Sequence, residues 1–341
     1  MKVKSLYLLP LICSLNILKA QDPAFSQFFA SPLTLNPALT GKFNGALRVA
    51  GNYRDQWPTI NNAFVTGTVS VDAPILGNKL PDNNMWGVGL MAMTDQTAGG
   101  ALNSNYLSLS TSYHIPLDPD GYNSIGVGFQ GTYASKILDG TKLHFEDQLD
   151  EQGGWTIQSQ DAIAYKTVTI NYFDVNIGAL YNGSTTGANN FYLGGSIYHI
   201  NSPKQSFLGD DSYTLHPRYT LHGGVAQPLG DGTSYVHFSG LYQYQAGAEE
   251  FVLGGAWSVM VNEDRDNPTN FYLGSWVRFS NLTDAIIPYV GLDYGNFSLG
   301  LTYDINISSL ETASEARGGV EISLIYIAQK AGPKGVPCPR F

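Results

Sequence analysis

The sequence predicts an all-β protein, an antiparallel outer-membrane β-barrel of about fourteen strands with a non-strand N-terminal arm and C-terminal tail. Three observations carry that prediction. Apolar and polar residues alternate with period 2 through residues 44–327. Most of these segments reach or exceed the ~9–11 residues of a tilted membrane strand, against ~5–6 in a soluble sandwich. Charged residues form 13% of the chain, about half the ~25% of a soluble domain, as expected where one face meets lipid. Residues 1–20 read as an export leader.

The leader has Lys2 and Lys4 at its start, a largely apolar stretch from Leu6 to Leu18, and the small residue Ala20 before the polar Gln21-Asp22-Pro23. That order predicts a signal peptide cleaved after Ala20. The apolar stretch is shorter than a ~20-residue membrane helix, and Pro10 and Asn16 interrupt it. The 18 basic residues less Lys2, Lys4 and Lys19 leave 15 against 28 acidic ones. Such a balance excludes nucleic acid as a partner, since phosphates need a basic surface. The 21 Tyr, 16 Phe and 5 Trp suit aromatic girdles at two membrane interfaces. Cys338 is the one cysteine left after cleavage, so no internal disulfide is expected.

Residues 21–43 form the arm. Pro23, Pro32 and Pro37 exclude a central strand there. Phe25, Phe28, Phe29, Leu33 and Leu35 suggest an extended segment packed on something, periplasmic or within the barrel. The barrel then occupies 44–327. Its strands are expected at 44–56, 61–72, 85–96, 104–115, 122–136, 168–181, 191–200, 217–227, 233–245, 250–261, 270–280, 285–294, 296–307 and 317–327. The alternation is clearest late in the chain, where Phe297, Leu299, Leu301, Tyr303 and Ile305 oppose Ser298, Gly300, Thr302, Asp304 and Asn306. Each such strand is expected to present one apolar and one wet wall.

Loop lengths agree with an even strand count. With both termini periplasmic, odd-numbered loops face outward, and the longest loops, 137–167 and 201–216, are both odd. Turn 73–84 is long for the periplasmic side. Asn190-Phe191-Tyr192-Leu193-Gly194 recurs as Asn270-Phe271-Tyr272-Leu273-Gly274, which reads as duplication or as two strands meeting the same lipid interface.

Chemistry-bearing constellations are sparse. The six histidines form no ligand cluster, although His216 and His222 share strand parity and could line one wall. The acidic run Glu146-Asp147-Gln148-Leu149-Asp150-Glu151 lacks a regular cation loop and reads as a solvated charge run, and Asn262 to Asn267 reads as a turn. No nucleophile elbow occurs. Neither catalysis nor a metal nor a cofactor is expected. The tail, 328–341, carries Pro333, Pro337 and Pro339, which end strand pairing. It could dock a periplasmic partner or merely plug the barrel.

Three blocks resemble one family. They are Gln21-Asp22-Pro23-Ala24-Phe25-Ser26-Gln27 with Leu35-Asn36-Pro37-Ala38-Leu39-Thr40-Gly41, then Arg54-Asp55-Gln56-Trp57, then Gly318 to Leu324 with the end Pro337-Cys338-Pro339-Arg340-Phe341. This is similar to the PorP/SprF family of the Bacteroidetes type IX secretion system. The resemblance implies an outer-membrane barrel that works with the type IX machinery and, in gliding cells, with the motility apparatus. It also implies reception or retention of a secreted adhesin bearing a C-terminal sorting domain. Candidate partner-binding positions carried over from the motifs are Asp22, Pro23, Phe25, Asn36, Pro37, Arg54, Trp57, Pro337, Cys338, Pro339, Arg340 and Phe341. The residue reading keeps two alternatives, a diffusion porin or nutrient channel and a soluble β-sandwich binding module.

Overall fold

The computed structural model describes residues 22–60, 63–81, 83–210, 213–230, 232–262, 268–280, 284–308 and 311–329. The leader at 1–20 lies outside the described residues, as do Pro333, Pro337, Cys338, Pro339, Arg340 and Phe341 of the tail.

Fourteen antiparallel strands close into one barrel. They are β1 (Leu47–Gln56), β2 (Phe64–Ile75), β3 (Met85–Thr97), β4 (Leu102–Pro116), β5 (Ser124–Asp139), β6 (Thr167–Gly183) and β7 (Asn190–Tyr198). The second half adds β8 (Arg218–Leu229), β9 (Ser234–Gln245), β10 (Ala248–Asn262), β11 (Thr269–Ser280), β12 (Ala285–Tyr294), β13 (Phe297–Asn306) and β14 (Arg317–Ala328). Every strand pairs with its sequence neighbour, and β1 closes on β14 with Gly51 opposite Leu324. Closure gives every strand two paired neighbours, which a membrane requires because lipid cannot satisfy an open N–H or C=O.

An even number of strands puts β1's start and β14's end at one rim, here the terminal end. The other rim, the loop end, carries the two longest connections, 140–166 and 199–217. Turn 76–84 at the terminal end is shorter than the sequence suggests, because β2 continues through Pro74 to Ile75. His216 lies in the loop before β8, so the expected alignment with His222 on one strand does not form.

Alternation sends apolar side chains outward. Leu107, Leu109, Phe129, Phe173, Leu221, Phe238, Leu253 and Leu273 are all exposed on the outer wall, Leu109 at 67%. A continuous exposed apolar belt of this extent is a lipid-facing surface. Towards the loop end of β3–β6 it gives way to a polar row in which Thr94 faces Asn105, Asn105 faces Ser135, and Ser135 faces Asn171. Asn190 is the first residue of β7 and Asn270 the second of β11, both at the terminal end, each followed by a half-buried or exposed outward Phe and a buried inward Tyr.

The inner wall is not uniformly wet. Around β1–β6 it carries Thr66, Ser70, Ser108, Ser110, Gln130, Thr132 and Asn176, all buried. Across β9–β12 it is apolar, with Leu241, Val252, Ala256, Trp276, Ala285 and Ile287 buried together with Phe28, Phe29 and Leu35. The departure from simple alternation has a physical reason. Residues 22–46 pass through the lumen, and their phenylalanines need an apolar wall to pack on.

Candidate functional site: the luminal arm

The arm enters at the loop end and leaves at the terminal end, so the described chain starts at the rim opposite to the start of β1. Its sequence forbids regular structure over any length. Prolines at 23, 32 and 37 remove N–H donors, and only single turns form, at Phe28–Ala30, Pro32–Leu35 and Pro37–Leu39. Its remaining polar groups must therefore be satisfied by the wall, since a buried unpaired amide is costly.

At the loop end, the Asp22 N–H donates to Gln245 Oε1 at 2.9 Å. Asp22 Oδ2 sits 2.6 Å from His199 Nε2 and 3.3 Å from Arg218 Nη1. His199 Nδ1 stands 2.9 Å from Asp174, and the Arg218 guanidinium lies 4.3 Å over the Tyr198 ring. His199 directly follows β7 and holds a left-handed backbone, φ 59°, a conformation costly for a residue with a Cβ. Burial opposes charge on both partners. The carboxylates of Asp22 and Asp174 nevertheless raise His199 to about 9. In turn His199 and Arg218 hold Asp22 well below the usual carboxylate range against its own burial. The pair is ionised at neutral pH.

Next, two backbone amides are caught by one carboxylate. Glu321 of β14 accepts the Ser26 N–H at 2.7 Å and the Gln27 N–H at 3.0 Å. Ser26 Oγ donates to Asp304 of β13 at 2.8 Å. Arg54 and Arg278 close on the same Asp304 at 3.0 and 2.6 Å, and Arg54 also donates to the Ala24 carbonyl at 2.7 Å. Gln27 Nε2 reaches the Glu321 carbonyl at 3.1 Å, and Ser323 Oγ donates to Gln27 Oε1 at 2.7 Å. Phe25 is buried beside this network. Arg54, Arg278, Asp304 and Glu321 are tolerable this deeply buried only because each is paired and hydrogen-bonded.

Midway, Phe29 packs 4.9 Å from Trp276 and edge-on 5.6 Å from Tyr289. Burying each phenylalanine contributes roughly 1.5–3 kcal/mol. Beyond it the carbonyls of Leu33 and Leu35 accept from Gln130 at 3.0 Å, Tyr198 at 3.0 Å and Ser196 at 2.8 Å.

The Asn36-Pro37-Ala38 turn is the closest approach to the wall. Asn36 Oδ1 accepts the Ala38 N–H at 2.8 Å and so caps the turn. Asn36 Nδ2 donates to the Ala179 carbonyl at 3.0 Å and to His222 Nε2 at 3.0 Å. The Ala38 carbonyl meets His114 Nε2 at 2.8 Å. Gly128 and Gly178 lie directly beneath the turn. A Cβ on Gly128 would collide with Pro37 and Ala38 backbone, and one on Gly178 with the Asn36 side chain. At the terminal end Asp72 Oδ2 takes the Gly41 N–H at 2.6 Å and the Arg48 guanidinium at 2.7 Å, while Arg48 also donates to the Leu39 carbonyl at 3.0 Å.

The motif positions thus divide by place. Asp22, Pro23, Phe25, Asn36, Pro37 and Arg54 meet in the lumen as one arm-to-wall interface. Trp57 stands apart at the loop end, where its backbone N–H donates to the Gly318 carbonyl at 3.0 Å and its ring meets Phe64. Glu321, Asp304, Arg278, His199 and Asp174 escaped the sequence reading. Each is one polar residue in a strand or beside one, and looks like any luminal position. Glu321 and Asp304 did carry a faint signal, as carboxylates at inward positions of otherwise apolar strands.

The loop end above the arm is built from its own residues. Asp150 accepts the N–H groups of Gln152 and Gly154 and the Thr156 hydroxyl. Asp147 accepts the Ser159 hydroxyl and the Gln160 N–H. These bonds hold both carboxylates below their usual range, Asp147 chiefly through Gln160 and Asp150 chiefly through Thr156. The acidic run is therefore partly a set of internal staples. His144 stacks on Trp155 at 5.0 Å, and Trp155, Ile157 and Tyr165 remain exposed.

Solved barrels resemble this one at low identity. A Pseudomonas aeruginosa FadL homologue is 10% identical with a TM-score of 0.44, covering 86% of this chain and 92% of that one. The Ralstonia pickettii toluene transporter TbuX is 9% identical with a TM-score of 0.48, covering 88% and 94%. BamA from Haemophilus ducreyi lacking POTRA domains 1–3 is 10% identical with a TM-score of 0.42, covering 83% and 70%. No curated protein matches the sequence. The family described as type IX secretion system membrane protein PorP/SprF matches residues 17–326. Given that match and the lipid-facing closed barrel, the chain belongs to the PorP/SprF family and is an outer-membrane component of type IX secretion.

Proposed function

We propose that this barrel is a non-enzymatic holdfast that receives or retains a secreted surface protein, an adhesin with a C-terminal sorting domain, at its loop end. The observation that carries the reading is the occupied lumen. The arm is bonded to the wall from rim to rim, through Asp22, Ser26, Gln27, Asn36 and Gly41, so recognition falls to surfaces rather than to a conduit. Long loops belong outside in barrels of this kind, which orients loops 140–166 and 199–217 towards the secreted partner. In the same orientation the end of β14 faces the periplasm, where the tail with Pro337, Cys338, Pro339, Arg340 and Phe341 would meet the secretion machinery.

The luminal motif residues then serve the partner indirectly, by fixing a rigid, sealed support under the loops. In a gliding cell, loss of an anchored adhesin would also stop movement. The test is a strain lacking this chain, compared with wild type for surface-bound and released secreted proteins. The expected result is a specific large surface protein moved to the medium. Unchanged surface retention, or steady conductance of the purified wild-type barrel in planar bilayers, would overturn the reading in favour of a channel.

A further inference from the structure

The strands around the loop end are not of equal height. β6 runs from Thr167 to Gly183, whereas β7 has nine residues and pairs with β6 only from Ile177 opposite Ile197 down to Gly183 opposite Phe191. On its other side β6 pairs with β5 along its length, up to Asp139 opposite Thr167. The upper half of β6 therefore has one satisfied side and one open side.

The direction of its backbone groups follows from the bonds already made. Val175 accepts the Ile200 N–H at 3.0 Å on the β7 side. The Val175 N–H donates to Asn201 Oδ1 at 3.0 Å, and Asn201 Nδ2 donates to the Phe173 carbonyl at 2.7 Å. Alternate residues of a strand direct both backbone groups to the same side. The N–H and C=O of Thr167, Thr169 and Asn171, with the N–H of Phe173, thus face the open lane above β7. Among the described residues none of these groups has a hydrogen-bond partner.

Two further features specify what fits the lane. The carboxamide of Asn201 behaves as a single peptide group, donating to Phe173 and accepting from Val175, two successive lane-facing residues of β6, so the lowest site is already filled by a peptide mimic. The open residues also stand at or above the polar row that ends the lipid belt, and the outward side chains of Thr167, Thr169 and Asn171 are exposed. From Asn171 upward the edge stands clear of the lipid belt to which Phe173 belongs. An exposed flat edge of Thr and Asn with Val168 and Ile170 on its inner face is a template for strand addition.

We propose that the open edge of β6, Thr167–Phe173, binds an extended segment of a secreted partner polypeptide by β-strand addition. Loop 140–166, which leads into this edge, holds Lys142 and Lys166 against Glu146, Asp147, Asp150, Glu151 and Asp161. Its negative balance favours a segment flanked by Lys or Arg. The proposal rests on the reading that the loop end meets a secreted protein, and it deepens that reading by naming the recognition element.

Asn171→Pro tests the edge, because it removes an N–H that faces the lane while leaving the β5 ladder intact. Asn171→Ala keeps that N–H and is the control. Both variants are expressed in cells in place of the native chain, and folding is checked by the heat-modifiable migration of the barrel. The expected result is a folded Asn171→Pro barrel that loses its surface protein to the medium, with Asn171→Ala retaining it. A folded Asn171→Pro barrel that still retains the protein overturns edge recognition. The deletion strain separates this from failure of the holdfast reading, which falls only if retention survives loss of the whole chain. Should Asn171→Pro not fold, a photo-crosslinking benzoylphenylalanine at Thr169 in the otherwise native barrel decides. An adduct with a secreted polypeptide supports the proposal. Adducts only with this chain or a second copy, or none, overturn it.

Discussion

Glu321 accepts the backbone N–H of Ser26 at 2.7 Å across 295 residues of sequence. This bond joins the last strand to the arm that precedes the first, and a second N–H, from Gln27, completes the clamp. The barrel's closing strand and its plug are thus one structural unit.

Glu321→Ala should free the loop-end half of the arm. It leaves two buried amides without an acceptor, at a cost of ~1–3 kcal/mol for each unsatisfied group. The barrel should still show heat-modifiable migration. Limited proteolysis near residues 22–27 should become fast, and an unchanged cleavage rate would show that the clamp is dispensable.

The arm tip should hold over a defined pH window. Asp22 is lowered by His199 and Arg218, so its contribution is present above the ordinary carboxylate value and lost only as pH falls well below it. His199 is raised to about 9, so its contribution is full below about pH 6.5 and disappears as pH passes 9. A spin label at position 23 should therefore stay immobile at neutral pH and loosen above 9. The His199→Gln variant should show no alkaline transition.

Displacing the turn over Gly178 should unseat the arm. A valine there must occupy the space of the Asn36 carboxamide, and overpacking of this kind costs about 1–3 kcal/mol. Gly178→Val is expected to give single-channel conductance where the wild type is silent. Deleting residues 22–43 should give a larger one. A silent deletion variant would mean that the arm does not close the lumen.

Acid should loosen the long loop before the barrel. Asp147 and Asp150 hold their turns as carboxylates with lowered pKa values, so loop order is kept above pH 4 and lost as pH falls below that range. Trypsin is unsuited to such pH, but pepsin cleavage within 144–165 should rise there while the barrel stays intact. Asp150→Asn should show the same cleavage pattern at higher pH.

Much of the fold was legible in the chain because its determinants are local. Period-2 alternation located all fourteen strands within a few residues, and the third, twelfth and fourteenth almost to the residue. The largest misses, three residues at the start of β1, at both ends of β2 and at the end of β5, came where the alternation breaks, as at the adjacent apolar residues Pro74 and Ile75 in β2 and Ile137 and Leu138 in β5. The proline spacing and phenylalanines of residues 21–43 marked a packed non-strand segment. They did not show its direction through the lumen, nor that the wall under Phe28 and Phe29 would be apolar.

The sequence alone determined a closed antiparallel barrel, its strand count and the identity of the arm, because alternation and proline placement act on neighbouring residues. Only the tertiary structure decided which residues hold the arm and where an edge stays open. Glu321 meets Ser26, His199 meets Asp22, and β6 outruns β7, through the register and stagger of a barrel that closes on itself. Closure couples positions hundreds of residues apart, and no periodicity in the chain records that coupling.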